Sequence, residues 1–242
     1  MGLKRKLEAR DVGLTVVFAA LYVVLSFLPL SQVVGFFGKS ITVATVVAPV
    51  IGIILGAYLG LFSAFLGGLI SLFVSQNFSL PSLFAGTFAA LCAGLLYRGK
   101  QSFCAVVYVL LLIVYGFYPF IGAFWLYPLV MWFQIFGFIV LISPLQSLAS
   151  KNFNSNSNSR LLFAFFITSL TSTLASQIAG SLAFEILFPN PDFLRGIWQL
   201  TTFIYPIERV FIAVAAALIG ASLYKTLKLT NIMPFNKKNT KA

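Results

Sequence analysis

The feature that most constrains this chain is a succession of apolar runs, each close to the roughly 20 residues a helix needs to cross hydrocarbon, broken by short basic or glycine- and proline-bearing connectors. Eight segments qualify, approximately Asp11 to Leu30, Ile41 to Ala57, Tyr58 to Gln76, Pro81 to Tyr97, Ser102 to Gly122, Phe124 to Ala149, Leu161 to Phe188 and Thr201 to Leu227. With 60% hydrophobic and only 9% charged residues, the chain has too few charges to clothe a water-soluble domain, so the bilayer is its solvent. The expected fold is all-α: a single polytopic membrane domain over residues 1–242 with about eight transmembrane helices, six being the alternative count. Only GAYLG, residues 56–60, which carries no charge, separates the second and third segments, and the fifth and sixth meet at FYPFIGAFWLYP, residues 117–128, whose two prolines and aromatics suit a turn at the membrane surface.

Charge distribution gives a second constraint. A net charge of +11 suits a nucleic-acid binder in principle, but the basic residues sit at the ends of separate apolar runs and form no aromatic-interleaved patch, so no nucleic-acid partner is expected. The positive-inside rule accounts for them instead. With the N-terminus in the cytoplasm, Lys4, Arg5, Lys6, Arg10, Arg98, Lys100, Lys151, Arg160, Lys225, Lys228, Lys237, Lys238 and Lys241 fall inside, thirteen of the 16 basic residues. Lys39 and Arg195 fall in outer loops and Arg209 within the last segment. Both termini are therefore expected in the cytoplasm of a plasma-membrane protein. The basic, apolar N-terminus has a run too long for a typical signal peptide and no small-residue cleavage site, so it reads as a retained first helix. The stretch KNFNSNSNSR, residues 151–160, reads as a polar linker that buries nothing.

Several chemistries find no support. His is absent, Cys92 and Cys104 lack ligand spacing and read as buried thiols, and only five carboxylates are present, so no metal, cofactor, catalytic group or ATPase function is expected.

The stretch TVVAPVIGIILGAYLGLFSAFLGGLISLF, residues 45–73, places Gly52, Gly56, Gly60, Ser63, Ala64, Gly67, Gly68 and Ser71 largely three or four apart, which suits close packing of helix backbones. Together with the basic N-terminus, the first span, and Gly38 and Thr42 in the following loop, it resembles the substrate-binding S component of energy-coupling factor (ECF) vitamin transporters over roughly the first 100 residues. That resemblance implies a small helical protein with both termini inside. It also implies a solute-capture site in the outer half of the membrane, and a transmembrane coupling subunit and ATPases as partners. The family has six helices, so eight implies an inserted hairpin, the fifth and sixth segments. Its first helix carries an Ala-x-x-x-Ala face for docking, whose nearest equivalents here are Thr15 with Ala19 and Ala9 with Gly13.

Intramembrane polar residues supply the site candidates. In the seventh segment Ser169, Thr173, Gln177, Ser181 and Glu185 are four apart and drift slowly around one face, with Ser172, Ser176 and Gly180 in a row beside them. Serines and threonines in such rows commonly satisfy backbone carbonyls, but Gln177 and Glu185 each need a partner. In the eighth segment Glu208 and Arg209 point about 100° apart on a helix, so each is expected to seek a partner elsewhere. Both lie roughly 10 Å in from Thr201 by the helical rise. An Arg209–Glu185 pair is geometrically open to them, either as a structural clamp or as part of a solute site. In the latter, Arg209 would face a carboxylate or phosphate, Glu208 or Glu185 would meet a cationic or hydrogen-bonding group, and Trp132 and Tyr205 would stack on a flat ring. Trp125 and Trp198 read as interfacial anchors. Lys39, Asn77 and Gln134 are weaker candidates. Three functions remain: capture of a small vitamin-like solute from outside, a helical membrane scaffold whose charges fix packing, and an ion- or proton-coupled carrier, which lacks the expected repeat of two halves.

Overall fold

The computed structural model describes residues 8–230. Lys4, Arg5, Lys6, Lys237, Lys238 and Lys241, counted above among the inner charges, lie outside them. Ten α-helices follow one another: α1 (Ala9–Ser26), α2 (Ala44–Leu55), α3 (Ala57–Val74), α4 (Leu80–Tyr97), α5 (Gln101–Phe117), α6 (Ala123–Leu126), α7 (Trp132–Ile142), α8 (Pro144–Asn152), α9 (Asn158–Leu187) and α10 (Pro191–Leu229). Between α1 and α2 a short antiparallel hairpin joins β1 (Pro29–Gln32) to β2 (Ser40–Thr42), pairing Gln32 with Ser40.

Helices α1, α3, α4, α9 and α10 are each long and apolar enough to cross a membrane, and the bent pair Pro128–Ile142 and Pro144–Asn152 makes a sixth candidate, with α2 and α5 as shorter apolar helices. The chain is thus a multi-pass helical membrane protein. Its sixth apolar segment is no continuous span: a 3₁₀ turn (Pro128–Met131) leads into α7, and α8 leaves at 62°. Proline explains the break. Pro144 cannot donate to the preceding turn, and Ser143 stays extended, its hydroxyl accepting from Leu145 N–H at 3.3 Å.

Helix α9 is the central post, packed against α2, α4, α5, α7, α8 and α10. Its small and hydroxyl residues permit that, and four of the hydroxyls turn inward on their own helix: Thr171 donates to Ile167 O, Ser172 to Ser169 O, Thr173 to Leu170 O and Ser176 to Thr173 O. The glycine-rich pair packs just as closely. A Cβ on Gly52 would enter the Ala90 carbonyl of α4, and one on Gly60 would lie 2.8 Å from Gly52 Cα.

Helices α1 and α5 end at Ser26 and Phe117, short of the expected Leu30 and Gly122, and two further boundaries differ. Helix α10 begins at Pro191, ten residues before Thr201, because Asn190 caps it through Phe193 N–H and Pro191 occupies its first turn. Arg195 is therefore helical and not in a loop. The 151–160 linker narrows to the five residues between α8 and α9, and it does bury a side chain: Phe153 is 1% exposed, edge-on to Tyr97 at 5.0 Å and to Phe165 at 5.2 Å. One phenylalanine in a polar run suffices to dock that connector on the bundle.

Alternating helix directions sort the connectors. The β1–β2 hairpin, the 75–79 and 118–127 loops and the α9–α10 turn share one end, and Arg10, Arg98, Lys100, Lys151, Arg160, Lys225 and Lys228 lie toward the other. At the hairpin end Ser75 donates to Ser26 O at 2.8 Å, Asn77 to Phe27 O at 3.0 Å and Lys39 to Gln76 O at 3.0 Å, tying α1, the hairpin and the α3–α4 loop together.

Candidate functional site: a cleft at the hairpin end

At the hairpin end the helices part around an open cleft. Two helix faces form its main walls. On α9, Gln177, Gly180, Ser181 and Phe184 follow the spacing of one face, and on α10 Trp198, Thr201, Tyr205 and Arg209 do the same. The first turns of α4 contribute Ser79, Pro81, Ser82 and Ala85, α5 contributes Tyr115, and Val33 and Val34 of the hairpin region cover one side. Most of this surface is apolar and aromatic, with a few polar groups among it, the composition of small-molecule sites.

Gln177 Oε1, Thr201 Oγ1 and Arg209 Nε are buried and have no hydrogen-bond partner within the protein. All three residues line the cleft and none is more than 6% exposed. Buried polar atoms left unmatched in this way carry a desolvation cost until water or a ligand meets them.

Of the six residues singled out in the sequence, Gln177, Tyr205 and Arg209 line the cleft. Glu208 lies beside it, and here the structure corrects the expectation that neighbours on a helix would seek separate partners. Arg209 Nη2 lies 3.5 Å from Glu208 Oε1, and Glu208 Oε1 also accepts from Ser31 of β1 at 3.0 Å. The Cβ vectors do diverge, but both side chains are long, and the weak screening of an apolar surround favours closing the pair over leaving each charge alone. The Arg209–Glu185 clamp is consequently not formed: Glu185 is fully buried, neither carboxyl oxygen has a hydrogen-bond partner, and it does not line the cleft.

Trp132 is half-exposed, outside the cleft, and makes a different contact. Pro206 lies inside α10 and has no N–H for the carbonyl four residues earlier, that of Thr202. The Trp132 indole N–H donates to that carbonyl at 3.0 Å. Trp132 is therefore a helix-repair contact and not a stacking platform. Trp198, read as an interfacial anchor, is instead buried, lines the cleft, and meets Tyr115 edge-on at 6.1 Å. Trp125 is exposed at the bundle end. Gln134 is buried in α7, where its amide, turned so that the nitrogen faces the carbonyls, donates to Val130 O at 2.7 Å. Among the described residues no group of three or more His, Cys, Asp or Glu is placed to hold a metal ion.

Thr201, Trp198 and Tyr115 were missed as site residues. For the first two a signal existed: Trp198, Thr201, Tyr205 and Arg209 recur at helical spacing on one face, the pattern already visible for the α9 stripe. Nothing comparable marked Tyr115, which reaches the cleft by tertiary packing alone.

The fold and cleft define a class, a multi-pass helical membrane protein with a partly polar pocket at one end of the bundle. Comparison with protein-family models, with curated proteins and with solved structures finds no match for this chain.

Proposed function

We propose that this protein captures a small, water-soluble, vitamin-like solute in the cleft between α9 and α10, as an S-component-like subunit whose uptake is energised by a separate transmembrane coupling subunit and ATPases. In this reading the hairpin end faces outward across the plasma membrane and both termini are cytoplasmic. The eight crossings comprise α1 to α5, the α7–α8 segment, α9 and α10. The observation that carries the reading is the cleft itself, with Gln177 Oε1, Thr201 Oγ1 and Arg209 Nε buried around it and unmatched. The resemblance of the first 100 residues to the S components supports it.

The test is a screen of water-soluble vitamins and related metabolites for thermal stabilisation of the purified protein. A ligand at a hundred times its Kd adds about 2.7 kcal/mol of stability, and Arg209→Ala or Gln177→Leu abolishes that gain. Co-purification with an ATPase-bearing complex tests the energising partners. The scaffold reading is favoured by one observation, the pairing of Arg209 with Glu208 within the chain. It prevails if no solute stabilises the wild type while Arg209→Ala and Glu208→Gln both lower its melting temperature.

A further inference from the structure

Among the described residues Arg209 is the one charged residue lining the cleft, and its charge is already answered by Glu208 at 3.5 Å, the two side chains being 5% and 9% exposed. The wall therefore carries a dipole and no net charge. A carboxylate or phosphate added to Arg209 would bring a second anion beside Glu208 into a poorly screened site, and like charges at such range repel strongly. A cationic ligand would find the carboxylate beside Arg209, that of Glu208, already engaged by Arg209 and Ser31, while Glu185 is fully buried and does not line the cleft. An uncharged ligand meets neither cost.

The unmatched atoms specify what that ligand must offer. Arg209 Nε–H is a donor and needs an acceptor, Gln177 Oε1 is an acceptor and needs a donor, and the Thr201 hydroxyl can meet either. A carbonyl and an N–H, as in an amide or lactam, supply the acceptor and the donor from one ligand. The remaining walls are Tyr115, Trp198, Tyr205 and Phe184, suited to a flat ring.

We infer that the cleft selects an uncharged, flat nitrogen heterocycle bearing an amide or lactam edge, and that Glu208 sets this selectivity by neutralising Arg209. This rests on the capture reading above and narrows it.

The test uses sets of ring compounds matched in shape and differing in charge, with binding to the purified full-length chain measured by isothermal titration: uracil against orotate, and nicotinamide against nicotinate and 1-methylnicotinamide. Wild type is expected to bind the neutral member of at least one set and to reject its anionic and cationic analogues. Glu208→Gln leaves the Arg209 charge unanswered and shifts preference toward orotate or nicotinate by about a hundredfold, the scale of a buried charge left without its partner. Gln177→Leu weakens the neutral ligand without creating a preference for the anion. Should Glu208→Gln fail to fold, the wild-type preference and Gln177→Leu decide the matter alone. Wild-type preference for an anion or for 1-methylnicotinamide overturns the inference; either leaves solute capture standing. Binding of no compound in the sets also overturns it. Capture itself then stands or falls by the wider screen, where a stabilising solute of another class keeps it and the lack of any stabilising solute removes it.

Discussion

At the level of single residues, what a side chain does here is decided by which unmatched atom lies within its reach. Trp132 is the clearest case. Pro206 orphans the Thr202 carbonyl and the indole answers it, so Trp132→Phe is expected to lower stability by about 1–3 kcal/mol, the cost of an unsatisfied buried carbonyl, without altering solute selectivity; thermal unfolding and ligand titration read the two separately. Tyr22 gives the opposite prediction. Its hydroxyl is buried in the space that a Cβ on Gly86 would fill and has no hydrogen-bond partner, so Tyr22→Phe is expected to be neutral or to raise the melting temperature. The sequence made part of this visible. A proline within a span announces an orphan carbonyl, and Gln177 and Arg209 announce a need for partners, but none of these names the donor or acceptor that comes from another helix. The Glu208–Arg209 pair escaped because helical geometry fixes the direction of Cβ and says little of where a five-atom side chain ends.

At the level of elements, apolar length and small-residue spacing were legible and helix breaks were not. The α9 boundaries, Asn158 to Leu187, fall within a few residues of the expected segment because a polar, Asn- and Ser-rich run precedes it and Pro189 follows. By contrast the Phe124–Ala149 run carries no charge and few polar residues, so hydropathy joins what Pro128 and Pro144 divide. The glycine spacing in α2 and α3 carried the right packing message, which makes a sharp prediction. Gly52→Val drives side-chain atoms into the Ala90 carbonyl of α4, backbone that cannot yield without moving the helix, and should cost about 1–3 kcal/mol or more. Gly13→Ala in α1 has nothing within 4 Å of the new methyl group and should hold or raise stability, since alanine is the better helix former. Thermal unfolding of the two variants in the same detergent compares them directly; equal losses would mean that α2 and α4 are not in backbone contact.

At the level of the whole molecule, alternation of helix direction turns scattered charges into an oriented object. Each apolar run reverses the chain, so basic residues separated by about two runs arrive at the same end, and Arg10, Arg98, Lys100, Lys151, Arg160, Lys225 and Lys228 gather opposite the hairpin. Placing that end in the cytoplasm satisfies the positive-inside rule and turns the cleft outward, whether both or neither of the short helices α2 and α5 fully crosses, since either keeps the number of crossings even. Single-cysteine labelling tests this in intact cells. Cys92 and Cys104 are no more than 1% exposed and give a silent background, whereas Phe37 at the hairpin tip is fully exposed and Asn156 is exposed in the α8–α9 connector. Phe37→Cys should react with a membrane-impermeant maleimide from outside, and Asn156→Cys only after permeabilisation. The reverse pattern would invert the molecule and turn the cleft inward, ending the case for capture from outside. Labelling of both positions from outside would put the hairpin and the connector on one side, so the segments from α2 to α8 would no longer cross an odd number of times, and the two walls of the cleft would have to be reassigned between membrane and solvent.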